Sequence, residues 1–334
     1  MLTKKLFTFH YQLSTINYQL LMKPLAKLIG QPLAVELLER AIAINRIAPA
    51  YLFVGAKGVG KAYGARCFAE MLMIRPEDDY GAMVQKIQAG NHPDFLWVEP
   101  TYTDKGELIT ISQAQEQGLK RKNAPQIRIE QIRAVSQFLA RPPLKAPRSV
   151  VVIDDAELMA ESAGNALLKT LEEPGRATII LIASSVDAIL STLVSRCQII
   201  PFSRLTEDDV AYVLQRQNAG DVLQYPQLIK LAQGSPGKAM GDRTKLLEIP
   251  SDLLSRLSQL PLGAIEGFHL AKEISESLEL ETQLWLADYL QSVYWDKQRD
   301  MEIIESLERV KGALKSYVQP RLVWDCFYLS VLPV

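Results

Sequence analysis

Up to Phe202, segments with the apolar spacing of a strand alternate with segments that have the apolar spacing of a helix. After Phe202 only the helical spacing remains. Four short apolar runs predict strands, at residues 50–54, 95–98, 149–153 and 178–183, and the segment from Leu193 to Ile199 is predicted to enter a last strand. The helical spacing of apolar residues between these runs predicts helices at residues 32–45, 63–72, 129–140 and 162–173. The β-branched run from Val150 to Ile153 is typical of a strand that is buried on both faces. The alternation therefore predicts an α/β fold, a parallel sheet with flanking helices.

After Phe202 the pattern predicts helices alone. Thr206 is expected to cap a helix that runs to residue 217, because acidic residues fill its first turn. The sequence Gly234-Ser-Pro-Gly237 predicts a sharp turn between two further helices. The tryptophans of this region are predicted to fill a helical core rather than to bind a cofactor: Trp285, Trp295 and Trp324.

A glycine-rich loop connects the first predicted strand to the helix that follows it. It reads Gly-Ala-Lys-Gly-Val-Gly-Lys-Ala from Gly55 to Ala62. Strand, glycine loop, lysine and helix in this order are typical of a phosphate-binding loop, in which backbone N–H groups and the helix N-terminus surround an anion. Lys61 is expected to reach the β and γ phosphates as a point charge. The candidate nucleotide-binding residues of the loop are Gly55, Gly58, Val59, Gly60, Lys61 and Ala62.

The same loop departs from the pattern at one position. The motif has Ser or Thr after the lysine, because that hydroxyl binds Mg²⁺, and Ala62 has no oxygen to offer. The loop thus favours phosphate binding over metal binding. A glycine turn that holds no ligand is the alternative.

Two carboxylates follow the strand at 149–153, where open α/β sheets bind ligands. Asp154 is placed like the acid of a nucleotide's Mg²⁺ shell, and it is the candidate metal ligand of the chain. Asp155 takes the position at which many ATPases have a Glu that orients water, and its side chain is one methylene shorter. Glu157 is a candidate to compensate for the shorter side chain of Asp155. Ser184 follows the strand at 178–183 and completes the candidate nucleotide site.

Length and composition describe an ordinary globular protein of two or three domains. The chain has 334 residues, 48% hydrophobic and 22% charged, with a formal net charge of −1. This balance gives no bulk attraction to nucleic acid or membrane, and no apolar run approaches the roughly 20 residues that span a bilayer. The three cysteines lie far apart in the sequence: Cys67, Cys197 and Cys326. We therefore expect neither a disulfide framework nor a Cys-rich metal site. The same cysteine usage leads us to expect a cytoplasmic location.

Two segments have open interpretations. In residues 1–21, Tyr11-Gln-Leu13 recurs as Tyr18-Gln-Leu20, which leads us to expect a non-native or disordered extension and Met22 as the true start. Residues 120–148 contain eight basic residues against Glu130 alone. A solvated helix face with loops is the favoured interpretation, and a surface that meets DNA phosphates is the alternative.

Several motifs together are similar to those of a known family. After the glycine loop come Asn91-His-Pro-Asp94, Val150 to Asp155, Asn165-Ala-Leu-Leu-Lys-Thr-Leu-Glu-Glu-Pro174 and Ser195-Arg-Cys197, in this order. In these motifs the chain resembles, from about Met22 to Leu332, the delta-prime subunits of bacterial DNA polymerase III clamp loaders, which are AAA+ proteins. The Asn165 motif together with Ser195-Arg-Cys197 is the specific part of the resemblance.

The resemblance implies three domains and a place in a ring. It implies an AAA+ α/β domain at 22–203, a helical lid at 204–247 and a helical collar at 248–334. It also implies partners: the delta and gamma/tau subunits in a pentameric ring, the sliding clamp, and primed DNA reached through the complex. A membrane partner is not expected.

The resemblance also implies a role for Arg196. In this family it would be an arginine finger that enters the ATP site of a neighbouring motor subunit, while the chain itself acts as a stator. ATP and Mg²⁺ could then be held without turnover. Many relatives have a four-cysteine zinc module, but no Cys lies between Phe68 and Arg196, so we predict no zinc.

The enzymatic role stays open at this point. The chain would belong to the DNA polymerase III holoenzyme, yet it shows no polymerase carboxylate constellation and is expected to be at most a weak ATPase. An active motor subunit like gamma/tau is the alternative. Ala62 and the lid turn at Gly234-Ser-Pro-Gly237, which lacks the Arg of motor subunits, both favour the stator.

Overall fold

The computed structural model describes residues 24–75, 78–104, 107–117, 124–173, 175–260 and 263–331. The proposed extension at 1–21, the proposed start at Met22 and the basic residues Lys120 to Lys122 lie outside these ranges. The chain divides into two compact units, the first ending at Arg204 and the second beginning at Leu205.

A five-stranded parallel sheet forms the centre of the first unit, as predicted. Its strands are β1 (Ala50–Val54), β2 (Phe95–Val98), β5 (Ser149–Ile153), β6 (Ala177–Ala183) and β7 (Gln198–Pro201). They lie in the order β2-β5-β6-β1-β7 across the sheet. Every residue of β1, β5 and β6 is buried, because helices cover both faces of the sheet.

Helices flank this sheet, and the four that begin at Pro32, Lys61, Ile129 and Glu161 lie where the apolar spacing predicted them, with shifted ends. The helices that begin at Tyr80, Ile111 and Ser191 were not predicted. In chain order the helices are α1 (Pro32–Ala43), α2 (Lys61–Met73), α3 (Tyr80–Gln88), α4 (Ile111–Glu116), α5 (Ile129–Leu139), α6 (Glu161–Glu172) and α7 (Ser191–Val194). The first ends two residues earlier than predicted, and Asn45 beyond it has a left-handed φ of 51°. Leu33 at its start is 52% exposed, while Ala34 and Leu38 face the core.

A small hairpin between β2 and α5 was not predicted. It pairs β3 (Thr101–Asp104) antiparallel with β4 (Glu107–Thr110). Because these strands are mostly polar, they show no apolar run from which a strand could be predicted.

The second unit is helical throughout the part that the structure describes. Its helices are α8 (Glu207–Arg216), α9 (Pro226–Ala232), α10 (Pro236–Leu247), α11 (Ser251–Leu257), α12 (Ala264–Ser277), α13 (Leu280–Gln298), α14 (Met301–Lys315) and α15 (Pro320–Val331). Thr206 caps α8 as predicted, since its hydroxyl accepts the Asp209 N–H at 3.2 Å. The division of this unit into lid and collar stays a prediction.

The prediction that all three tryptophans fill the helical core is wrong for one of them. Trp285 and Trp324 are buried, but Trp295 is 45% exposed. The cause lies in α13, where Trp295 follows Tyr294 near the C-terminal end, and the tyrosine takes the buried position and donates to the Leu257 carbonyl. None of the described helices combines the length and the apolarity that crossing a membrane requires.

Asp94, in the turn before β2, holds the loop that leads into β5. Its carboxylate accepts the backbone N–H groups of Leu144, Lys145 and Ala146 at 2.7, 2.7 and 2.8 Å. Burial alone would raise the pKa of Asp94, but these three donors overcome the effect and lower its pKa. The turn therefore fixes two neighbouring strands of the sheet at the ends where they begin.

We predict that Asp94→Ala lowers the free energy of unfolding by about 3 kcal/mol or more, because three backbone donors lose their acceptor. Since the pKa of the native carboxylate is lowered, its contribution is present above the unfolded value near 3.8 and is lost as pH falls through the lower folded value. Urea unfolding at pH 7 and pH 3 measures both effects.

The matched control is Asp79→Ala, which removes a helix cap with one backbone bond, to Ala82. Its cost should be about 1 kcal/mol. Equal costs for the two variants would contradict the role given to Asp94.

Candidate functional site

The glycine loop lies between β1 and α2 and turns through left-handed conformations. Gly58 has a φ of 79° and Gly60 a φ of 105°, which non-glycine residues rarely adopt. Gly55 approaches the end of β7 so closely that a Cβ atom there would lie 2.3 Å from the Phe202 carbonyl oxygen. Gly60 caps α2 without a side-chain acceptor, so the first N–H groups of α2 have no cap from that residue. This is the backbone arrangement that binds phosphate at a helix N-terminus.

Lys61 is folded into the loop rather than extended into solvent. The residue is 8% exposed, and its Nζ donates to the carbonyls of Gly55 at 2.5 Å and Ala56 at 2.8 Å. Burial lowers the pKa of Lys61, while the carboxylates of Glu157, Asp154 and Asp155 oppose that shift. The loop therefore satisfies its own lysine, and a phosphate would exchange with carbonyl oxygens as the partner of Nζ.

Gln31, which the sequence analysis did not single out, braces the loop from behind. It is 2% exposed, and its amide nitrogen donates to the carbonyls of Val59 at 3.2 Å and Ser203 at 2.7 Å. Its amide oxygen accepts the Ser203 N–H at 2.8 Å. One side chain thus ties the buried Val59 of the glycine loop to the segment after β7.

Asp154 and Asp155 follow β5 and point to different partners. Asp154 accepts the Asp155 N–H at 3.0 Å, and burial, reinforced by the neighbouring Asp155 charge, raises the pKa of Asp154 to about 6. Asp155 has a left-handed φ of 45°, and its carboxylate pairs with Lys57 at the tip of the loop at 3.2 Å. A perturbed acid at the carboxyl end of a parallel strand is a candidate functional group.

Glu157 joins the site through Ser184. The backbone N–H of Ser184, directly after β6, donates to Glu157 Oε1 at 3.2 Å. Glu157 Oε2 is buried without a hydrogen-bond partner among the described residues. Glu157 also makes the largest favourable charge contribution at Lys61. Of the three acids near the lysine, Glu157 is thus the one with a buried acceptor that lacks a partner within the described ranges.

These residues fit a phosphate more completely than they fit Mg²⁺. The anion would be held by the N–H groups of the loop and α2 and by Lys61. For the metal, Ala62 offers a methyl group at the position of the hydroxyl ligand, which leaves Asp154 as the candidate ligand. Across the described ranges, no group of three His, Cys, Asp or Glu side chains is arranged to hold a metal ion.

Arg196 lies at the opposite end of the sheet from the glycine loop. It precedes β7, which runs parallel to β1 with Gln198 beside Tyr51 and Pro201 beside Val54. The loop begins after Val54, at the carboxyl end, whereas Arg196 lies before the amino end. The three steps from Gln198 to Pro201 alone rise roughly 10 Å.

The guanidinium group of Arg196 is held at that end by three acceptors. Nη2 donates to Glu172 Oε1 at 2.8 Å, and Nη1 donates to the Thr192 carbonyl at 3.1 Å and to Ser195 Oγ at 3.4 Å. Glu172 ends α6, which leads into the amino end of β6. The side chains of Arg196 and Glu172 are 40% and 54% exposed. Sequence reasoning gave Arg196 but not Glu172, because the pair is separated by a complete strand and helix.

The basic segment is less uniform than its composition indicated. Arg148 is partly buried and donates to Thr178 Oγ1 at 2.6 Å, which gives it a structural role. Arg133, Arg141 and Lys145 are exposed. Contact of this surface with DNA stays a prediction.

Two family profiles match the chain and together span most of it. The profile described as "DNA polymerase III, delta subunit" matches residues 30–206. The profile described as "Cyanobacterial DNA polymerase III delta prime, C-terminal domain" matches residues 208–331.

Individual relatives agree with the profiles. The chain is similar to DNA polymerase III subunit delta' of Bacillus subtilis, with 30% identity over 61% of this chain and 59% of that protein. It is also similar to the tau subunit of Bacillus subtilis, with 25% identity over 77% of this chain and 45% of that protein. The match thus spans less than two thirds of either relative's length.

A solved structure supports the fold alone. The DNA polymerase III gamma subunit-related protein of Thermotoga maritima superposes with a TM-score of 0.52 at 17% identity, covering 87% of this chain and 97% of that one. The predicted architecture, a parallel sheet with flanking helices followed by a helical C-terminal region, is confirmed.

We predict that Asp154→Asn raises the free energy of unfolding by about 1–3 kcal/mol at pH 7.5, because the amide keeps the acceptor for Asp155 N–H and removes a desolvated charge. A raised native pKa of about 6 means that the folded state binds the extra proton, so wild type loses stability as pH rises from about 4 to about 6. Chemical unfolding across pH 4 to pH 8 should show the two proteins diverging through that window.

The control is Asp187→Asn, at an exposed acid after β6, which should change stability by less than about 0.5 kcal/mol at every pH. If Asp154→Asn gave the same flat difference, Asp154 would not carry the desolvated charge that its burial indicates.

Proposed function

Because the chain belongs to the delta-prime family of DNA polymerase III subunits, we propose that it works in a clamp loader as a stator that donates Arg196 to a neighbour's nucleotide site. The neighbour would be a gamma/tau motor subunit. The assembly would be a pentameric ring with delta, which opens the sliding clamp and places it on primed DNA in the cytoplasm.

The observation that carries this proposal is the separation of Arg196 from its own glycine loop. The two lie at opposite ends of the parallel sheet, and Glu172 holds the guanidinium group at the far end. An arginine in this position serves a phosphate outside its own chain. Its planar guanidinium group offers several N–H donors, which suits it to the charge that develops during phosphoryl transfer.

The chain's own loop is assigned a holding role. Loop N–H groups and Lys61 would bind the phosphates of a nucleotide. No hydrolytic step is assigned to this site, because Ala62 lacks the metal-binding hydroxyl and Asp155 is paired with Lys57. The site is proposed to work without zinc.

The domain arrangement follows from the same family assignment. The AAA+ domain would comprise 22–203, the lid 204–247 and the collar 248–334. The collar would assemble the ring.

An active motor is the competing function. It is favoured by one specific observation: Glu157 Oε2 is buried without a hydrogen-bond partner among the described residues, beside a loop that keeps its glycines and Lys61. Lower identity to the tau subunit than to delta' weighs against it.

We predict that the purified chain alone turns over ATP no faster than its Lys61→Ala variant, because both lack a complete metal site. Ala62→Thr should strengthen Mg²⁺-dependent ATP binding by about tenfold, since it adds a charge-assisted ligand of about 1.4 kcal/mol. Calorimetric titration with and without Mg²⁺ measures this gain, and Ala62→Val is the isosteric control without an oxygen. Clear turnover by wild type would favour the motor.

We predict that Arg196→Ala lowers DNA- and clamp-dependent ATP turnover of the reconstituted loader by about 10³-fold, the scale of an arginine finger. Complex assembly, followed by gel filtration, should be unchanged because the side chain is exposed. Arg176→Ala is the matched control, an exposed arginine that precedes β6 at the same end of the sheet. A loader that keeps full activity with Arg196→Ala would refute the proposal.

A further inference from the structure

We infer that Glu172 is the positioning residue of Arg196, which orients the guanidinium group toward the neighbouring subunit's nucleotide. The inference rests on the proposed function and adds a residue to it.

The geometry holds one side of the guanidinium group and leaves the other available. Nη2 is fixed by Glu172 Oε1 at 2.8 Å, and Nη1 by the Thr192 carbonyl at 3.1 Å, so two points define the plane. Within the described residues, Nε and the second proton of Nη2 have no hydrogen-bond acceptor in the chain. Those donors can serve a phosphate while Glu172 keeps its hold.

The place of Glu172 in its helix supports a role beyond helix stability. It is the last residue of α6, and Glu173 follows as the C-cap. Carboxylates at a helix C-terminus meet the negative end of the helix dipole, where cations are preferred. An acidic residue at this unfavourable position is expected where the residue has a functional role. Glu172 is paired with Arg196, whereas Glu173 makes no ion pair with any of the described residues.

The pair orients Arg196 without cancelling its charge. Both side chains are substantially exposed, so solvent screens their attraction and the pair contributes little to folding stability. A free exposed arginine samples many rotamers and loses this conformational entropy when it binds a phosphate. Because Glu172 already holds the guanidinium group in place, less conformational entropy is lost at the catalytic step. Glu172 should therefore affect turnover rather than nucleotide affinity.

The test compares Glu172→Gln with Glu173→Gln in the reconstituted loader, with clamp and primed DNA present. Glu172→Gln should lower kcat by roughly tenfold, below the ~10²-fold that complete misplacement of a group costs, and leave the KM for ATP unchanged. Glu173→Gln changes the charge by the same amount one residue away and should leave both constants unchanged. Glu172→Asp keeps a carboxylate and should recover part of the lost kcat.

A double variant separates positioning from a merely electrostatic or structural effect. In an Arg196→Ala background, Glu172→Gln should cause no further loss, because its partner is absent. A further loss there, equal losses for Glu172→Gln and Glu173→Gln, or a gain in turnover with Glu172→Gln would each overturn the inference. Full activity of Arg196→Ala would instead refute the proposed function itself, so the two failures are distinguishable.

Discussion

Parallel pairing of β1 between β6 and β7 determines where the chemistry of this unit lies. It aligns the carboxyl ends of three strands, so that the glycine loop, Ser184 and Phe202 follow neighbouring strand ends. The same pairing collects the amino ends on the other side, where Arg196 and Glu172 meet. One sheet thus has two chemically distinct ends, one built for an anion and one that presents a cation. The stator assignment depends on this separation more than on any single side chain.

At the carboxyl ends of the strands, the positive charges of the lysines and the negative charges of the acids offset each other. Lys61 lies among three acids that oppose the effect of burial on its pKa, and Lys57 pairs with Asp155 across the loop. Among these charged groups, the pKa of Asp154 is raised to about 6, because Asp154 is buried next to another carboxylate. A site of this kind can be stable without a ligand, since each cation already has an anionic or carbonyl partner. Glu157 differs from these groups, because its Oε2 is buried without a hydrogen-bond partner among the described residues.

Local patterns in the sequence sufficed for the parallel strands, because buried strands have continuous apolar runs and glycine turns have few alternatives. They also identified the phosphate-type loop, the acids after β5 and Arg196. They could not supply Gln31, Glu172 or the pairing of Asp155 with Lys57, since these contacts join residues that are 24 or more positions apart. For a related reason, the polar β3–β4 hairpin and the exposure of Trp295 were not predicted. Periodicity reports which residues prefer burial, and tertiary packing decides which of them obtain it.

The contact between Gly55 and Phe202 has a consequence for how such a chain can change over generations. A side chain at Gly55 would collide with the Phe202 carbonyl, and one at Gly64 would meet the Phe202 ring at 2.9 Å. Folding of the sheet is therefore enough to retain these two glycines whether or not the site turns over ATP, whereas the packing of the sheet places no such demand on a hydroxyl at position 62. A chain with this fold can thus keep the glycines of a nucleotide motif when its metal-binding hydroxyl is missing.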